Sequence, residues 1–394
     1  MGNSNIWNNA LEETLMKKID FSVVIPTWNR STLVVELLKS LYEDRQFYKY
    51  GETEVLIIDS SIGKEKDTIV SACEKYDAMY IEGVDSVRKK RNKGIDTAKY
   101  DYICFIDSDV VLKKGLLNEH AEQWIKNDSG KMGGTFGLTE FVGDKGFWWK
   151  ALEQTTFIDS FGFAKKMKYV SWTLGNNATF KKSILMDIGK FEENLPFKLG
   201  GDDLDMSYRV TKEGYFIKTV PEAVTYHSTE TWNNRKAVFD RSKRWGTMEY
   251  YTLKRHPELV NRRFPMAGDV MMFLLISLGM VALIKQSLIP LAVFAITAIS
   301  SMLSIYCFNF KEQKKPNIFY WMVAMAIQGK YRMHRLIAAL KNKDMSLTFK
   351  GQYFGIWHIR SSYQTEAQKF WIYMYNIIFA MILLWAYGIK SACF

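Results

Sequence analysis

The sequence predicts an α/β domain built on a largely parallel sheet, followed by an α-helical membrane region. Three observations predict it. Through the first 230 residues, short apolar runs alternate with segments of helical spacing, as in sheets whose strands are joined by helical crossovers. Acidic residues stand where those apolar runs end. In the last third, uncharged runs of 15, 24 and 20 residues occupy 270–284, 287–310 and 370–389.

Residues 21–26 (FSVVIP) are apolar and closed by proline, the pattern of a buried parallel strand. After the polar 27–30, Leu33, Leu37, Leu38 and Leu41 recur at helical spacing. Residues 54–58 (EVLII) make the next strand, ending at Asp59. A helix is expected over 69–76, a short strand over 78–81, a helix over 92–99 and a strand over 102–106, ending at Asp107. In open sheets of this kind ligands bind beyond the carboxyl ends of the strands. Asn29, Asp59, Asp107 and Asp109 all fall there. Asp107-Ser108-Asp109 carries the most chemistry. Two carboxylates one residue apart past a buried strand can share a hard cation, Mg²⁺ or Mn²⁺, whose remaining ligands are substrate phosphates. By itself the same pattern also begins solvated loops.

With 48% hydrophobic and 24% charged residues the chain is not a disordered one. Its four cysteines form no CxxC pair, which excludes a disulfide scaffold and a zinc site of clustered thiolates. The net charge of +11 is local: residues 1–269 hold 40 basic and 39 acidic residues, whereas 311–369 hold 11 and 3. The apolar flanks of that basic stretch favour a membrane surface over nucleic acid.

The runs at 287–310 and 370–389 meet the roughly 20 residues that cross a bilayer. The run at 270–284 is shorter and either spans by borrowing 264–268 or re-enters. Arg255, Arg262 and Arg263 before it, and the basic 311–369, put 1–265 and 311–369 on the cytoplasmic side. Residues 317–340, and 351–363 with Tyr353, Phe354, Trp357 and Tyr363, read as helices in the headgroup layer or as a helical cap on the α/β domain. The polar first 20 residues have no apolar core of a signal peptide, and Ile6 breaks the myristoylation pattern.

Four segments, in order, resemble family 2 glycosyltransferases of the GT-A fold: SVVIPTWNR (22–30), RNKGIDTAKYDYICFIDSD (91–109), LGNNATFKKSILMDIGKFEENL (174–195) and GGDDLDMSYRVTKEGYFIKTVPEAVTYH (200–227). The resemblance implies a nucleotide-sugar-binding domain and assigns roles. Pro26 and Thr27 would border the base and ribose, Asp59 would hydrogen-bond the base, Arg91 would lie near base or diphosphate, and Asp107 would face ribose or metal. Asp109 would bind the metal, with His227 near metal or diphosphate, although a lone histidine is also a common packed residue. Asp203 would be the catalytic base, Asp202 would orient an acceptor hydroxyl, and Asp205 would be structural. RSKRW (241–245) is similar to an Arg-Trp motif of processive synthases. Arg241, Arg244 and Trp245 would then meet diphosphate or acceptor, or else form a basic amphipathic face. The aromatic run of Phe147, Trp148 and Trp149 stacks on sugar, meets lipid or packs a core.

The expected division is an extension (1–20), a catalytic domain (21–265), a transmembrane hairpin (266–310), basic interfacial helices (311–369) and a third transmembrane helix with a tail (370–394). The expected activity is metal-dependent, inverting transfer from a nucleotide-diphospho-sugar, taken as a UDP-sugar, to a lipid-linked glycan hydroxyl at the cytoplasmic membrane face. A processive synthase that also translocates its polymer is the alternative.

Overall fold

The computed structural model describes residues 17–127, 129–155, 157–196, 200–262, 267–312, 317–347, 350–352 and 359–392. Most of the N-terminal extension, Arg263, Tyr353, Phe354, Trp357 and Cys393 lie outside the described residues. Two compact units emerge, Met1–Asp144 with Phe157–Trp232, and Lys145–Thr156 with Asn233–Phe394.

The first unit is built on nine strands in one sheet: β1 (Phe21–Thr27), β2 (Thr53–Asp59), β3 (Met79–Glu82), β4 (Tyr102–Phe105), β5 (Val110–Leu112), β6 (Met132–Val142), β7 (Tyr169–Val170), β8 (Ala178–Lys181) and β9 (Phe216–Ser228). The order is β3-β2-β1-β4-β8-β6-β9-β5, with β7 also on β9. Strands β3, β2, β1 and β4 are all parallel, as the alternation predicts. Beyond them β8 runs antiparallel to β4 and β6, β5 and β7 antiparallel to β9, and β6 parallel to β9. The complete sheet is therefore mixed. Local periodicity fixes that a segment is a strand, not the direction of a neighbour found far along the chain.

All seven residues of β1 are buried. Helix α1 (Ser31–Phe47) covers it with Val34, Leu37, Leu38 and Leu41, while the expected Leu33 is only half-buried at the edge of that stripe. Each such side chain contributes about 1.5–3 kcal/mol by leaving water. The start of α1 borrows its caps from the next crossover. Ser61 Oγ accepts from Asn29 N–H at 2.7 Å and Glu65 accepts from Ser31 N–H at 2.8 Å. Asn29 itself holds φ = 48°, a conformation asparagine tolerates better than most residues. Helix α2 (Gly63–Lys75) and helix α3 (Val87–Thr97) follow β2 and β3. Helix α3 presses on β1 at Gly94, where a Cβ would lie 2.3 Å from Val24 Cγ1.

Helix α4 (Leu116–Ile125) brings His120 under the sheet. Its ring nitrogens contact Thr135 Oγ1 (2.7 Å) and Asn177 Oδ1 (2.9 Å), and burial lowers its pKa to about 4, so it packs as a neutral group.

The second unit contains α5 (Phe147–Leu152), followed, after the first unit's α6 (Phe163–Lys166), α7 (Lys182–Asp187) and α8 (Asp202–Lys212), by α9 (Arg235–Arg255), α10 (Ala267–Lys285), α11 (Ile289–Glu312), α12 (Ile318–Lys341) and α13 (Ile359–Ala392). A short ribbon joins β10 (Val260–Arg262) to β11 (Lys350–Gln352). Helices α9 and α12 approach so closely that a Cβ on Gly246 would fall 1.9 Å from the Tyr331 carbonyl oxygen. Trp149 is a core residue of this unit, whereas Phe147 stays exposed and meets the Tyr320 ring. Ile289–Phe308 and Lys369–Ala386 are long and apolar enough to cross a membrane, and little of either is buried. Phe273–Lys285 is apolar but shorter. Between α11 and α13, Ser300 Oγ donates to Asn376 Oδ1.

Candidate active site

Five segments of the first unit carry the expected site residues. The ends of β1 and β2 bring Pro26, Thr27 and Asp59, and the β4–β5 connection brings Asp107 and Asp109. The end of β9 brings His227, and the start of α8 brings Asp202 and Asp203.

Asp59 is fully buried, with Oδ1 accepting from Ser61 N–H and O–H and Oδ2 from Tyr80 O–H. Its carboxylate is held as a fixed fixture at the end of β2. Thr27 is also buried, and its carbonyl accepts from Lys90 Nζ. Trp28, the next residue, is 55% exposed at the strand end.

The pairing of β5 with β9 puts Val110 opposite His227, so Asp109 becomes a neighbour of a residue 118 positions away. His227 Nδ1 lies 3.0 Å from the Ser228 carbonyl oxygen. A carbonyl only accepts, so Nδ1 carries a hydrogen, and Nε2 points to the other side of the ring. That Nε2 is 3.4 Å from Asp109 Oδ1. A separation of about 3.0–3.5 Å also suits two ligands on one small divalent ion. Phe141, Phe161 and Trp232 surround the imidazole with ring centroids at 5.2, 6.3 and 5.8 Å and fix its plane.

Among the described residues no three His, Cys, Asp or Glu side chains gather into a ready-made metal cage. The oxygen and imidazole donors of Asp109 and His227, with Asp107 beside them, do fit Mg²⁺ or Mn²⁺ completed by phosphate oxygens. Loss of hydration, with the charges of Asp109 and Asp203 adding to it, pushes the Asp107 carboxyl up to about 7.

Arg91, on α3, is the central strut. It is buried, donates Nη2–H to Asp107 Oδ1 at 2.9 Å and Nη1–H to Asp202 Oδ2 at 2.6 Å, and lies over the Phe191 ring. A Cβ on Gly175 would sit 2.3 Å from its guanidinium, so only glycine leaves room for it. One cation thus ties the Asp107 loop to the start of α8. Arg91 was expected to lie near base or diphosphate; in the structure it donates to the Asp107 and Asp202 carboxylates and to the Gly175 carbonyl.

Gly200 and Gly201 (φ = 90° and 73°) turn the chain into α8 in a left-handed conformation that glycine adopts freely. Asp203 then accepts from Leu204 N–H at 2.9 Å and Gly175 N–H at 3.1 Å. Burial first, then the charge of Asp202, raises its pKa to about 6, against the pull of Arg91 and the two amides. A fixed carboxylate titrating near neutrality suits general-base work. Asp205 pairs with Arg209 one turn along the same helix, which agrees with a structural role. Arg241, Arg244 and Trp245 share one face of α9 in the second unit.

Sequence reasoning passed over Arg30 and Trp28. Arg30 Nη1 donates to Asp109 Oδ2 at 2.7 Å, although the two are 79 residues apart. Both belong to the polar loop after β1, and a bulky aromatic and a cation in a strand-end loop were the available signal.

Residues 22–189 match the family model Glycosyl transferase family 2. A chondroitin synthase of Escherichia coli is 24% identical over 243 residues, covering 52% of this chain and 34% of that protein. The amylovoran biosynthesis glycosyltransferase AmsB of Erwinia amylovora is 37% identical over 110 residues, 27% of this chain and 36% of the relative. The matched segments thus span about a third of those relatives' lengths. The solved structure of a mannosyltransferase from Pyrobaculum calidifontis, in complex with GDP-Man and Mn²⁺, is similar in fold (TM-score 0.54, 16% identity, 86% of this chain and 94% of that one).

Proposed function

We propose, for a chain whose residues 22–189 form a family 2 glycosyltransferase domain of the GT-A fold, inverting transfer of a sugar from a nucleoside-diphosphate sugar to a glycan hydroxyl at a membrane. The observation that carries this reading is the meeting of the Asp107–Asp109 loop with the Asp202–Asp203 start of α8, where Arg91 bridges Asp107 and Asp202. Asp203, held by two backbone amides, takes the proton of the acceptor hydroxyl as that oxygen attacks the anomeric carbon. Asp202 orients the acceptor from its bond to Arg91. Asp109 and His227 hold a divalent cation, which when bound supplies Lewis-acid stabilisation of the departing diphosphate. Asp59, Pro26 and Thr27 shape the base pocket, and the exposed Trp28 offers an aromatic face for stacking.

The Mn²⁺ of the mannosyltransferase structure supports the cation reading, and the relative named a chondroitin synthase supports a role in polysaccharide synthesis. The two long apolar helices and the basic 311–369 support membrane attachment with the catalytic domain on the cytoplasmic side and a lipid-linked acceptor; a UDP-sugar as donor is part of the same proposal. Relatives named as synthases and the RSKRW segment on α9 favour processive elongation as a second reading. A ladder of products rather than one added sugar distinguishes it.

The test is a panel of UDP-, GDP- and dTDP-sugars offered to the purified chain in nanodiscs, with Mn²⁺ or with EDTA, reading released nucleoside diphosphate. Release from one donor that EDTA abolishes is the expected result. Absence of nucleotide binding in every arm refutes the reading.

A further inference from the structure

We infer that Arg30 is an exchangeable latch: it holds Asp109 while no cation is present and passes to the donor's diphosphate when the cation arrives. The inference rests on the proposed role of Asp109 and His227 as cation ligands. Its own observation is the 2.7 Å bond from Arg30 Nη1 to Asp109 Oδ2, on the carboxylate whose other oxygen faces His227.

The two partners differ in freedom. The Asp109 side chain is 7% exposed, whereas that of Arg30 is 40% exposed. Arg30 precedes α1, directly after Asn29 in its left-handed conformation, so its backbone is fixed while its side chain reaches along the open edge. Asp109 also shares its loop with a second carboxylate, Asp107, two residues before it and paired with Arg91, so it lies in a crowd of carboxylates. Without a cation, that crowd needs a compensating positive charge to keep Asp109 in place. Arg30 supplies it from the solvent side, and Arg91 supplies it to Asp107 from the buried side.

A divalent ion on Asp109 puts like charge within about 5 Å of the guanidinium, which is strongly repulsive in a poorly hydrated site. The exposed partner is the one that moves. A nucleoside diphosphate arriving with the cation offers oxygens that a guanidinium grips in bidentate fashion. Arg30 therefore opposes the bare cation and favours the cation–diphosphate complex, making occupancy of Asp109 depend on the donor.

The experiment uses the full-length chain in nanodiscs and two ligands, Mn²⁺ alone followed by electron paramagnetic resonance, and UDP or GDP at saturating Mn²⁺ followed by calorimetry. Arg30→Ala should bind Mn²⁺ alone roughly 3- to 10-fold more tightly and the nucleoside diphosphate roughly 10-fold more weakly. Arg30→Gln, which keeps a polar side chain, should shift both in the same directions, and Arg30→Lys should fall between. A merely structural role would weaken both affinities together, and that result, or no change in either, overturns the latch. If the wild-type chain binds Mn²⁺ neither alone nor with nucleotide, the cation reading itself fails and the latch with it.

Discussion

The two units use buried charge differently. In the first, Arg91 is sunk between Asp107 and Asp202, two carboxylates from separate elements that meet at the open edge of the sheet. In the second, Arg335 and Tyr331 converge on Glu249, with the Tyr331 hydroxyl donating at 2.6 Å and the Arg335 guanidinium making an ion pair at 3.5 Å. That cluster joins two helices, α9 and α12, at the level where Gly246 lets them touch. One arrangement keeps charges ready for a substrate, the other fastens a helix pair. Apolar residues divide the same way. The first unit's most exposed ones, Trp28, Ile62 and Val84, sit in loops at the strand ends. In the second unit exposed apolar residues such as Leu283, Leu288, Met381 and Trp385 belong to the apolar stretches of the chain, as lipid-facing surfaces do.

Substitutions sharpen this contrast. Asp203→Asn should lower transfer about 10²- to 10⁴-fold while nucleotide affinity changes less than about 2-fold, measured by product formation and calorimetry. Transfer at the wild-type rate would break the base assignment. Arg91→Met leaves the buried Asp202 and the half-buried Asp107 without their cation and should cost about 3–5 kcal/mol, read as a loss of unfolding free energy. Arg335→Met should cost less, about 1–3 kcal/mol, because the Tyr331 hydroxyl still satisfies Glu249. Equal losses from the two would mean that both arginines serve stability alone.

Acidity tests the first unit further. A base must be ionised, and the Asp203 pKa is raised to about 6, so the active fraction shrinks as pH falls through 6. The rate at saturating donor should fall about tenfold per unit below that point. A rate constant down to pH 4.5 would place the proton elsewhere. The smallest effect belongs to the second unit. Asn376→Leu removes the bond to Ser300 and should cost about 0.6–1.7 kcal/mol of helix association, measured by unfolding in mixed micelles.

Much of the site was legible in the chain. Asp59 and Asp107 end short apolar runs, and strand ends of an open α/β sheet are where ligands go. The parallel order of β3, β2, β1 and β4 follows from the crossovers between them. His227 was harder. Its proximity to Asp109 comes from the register of β5 on β9, and a three-residue strand carries too little pattern to announce its partner. Arg91 was legible as important but not as buried, because a cation in a helix with four other basic residues reads as solvated surface. Its burial required two acids 16 and 111 residues away.

The sequence by itself determined the four strands of the parallel half, which segments are apolar enough to enter a membrane, and which residue types could carry transfer chemistry. Those are local properties, set by spacing, composition and the alternation of apolar and polar side chains. Only the tertiary structure decided the mixed direction of the sheet, the facing of His227 and Asp109, and the bond of Arg30 to the same carboxylate. These depend on which distant groups share one small volume. A charge in such a place is stabilised or displaced by its neighbours in space, and their identity is not written in the residues beside it.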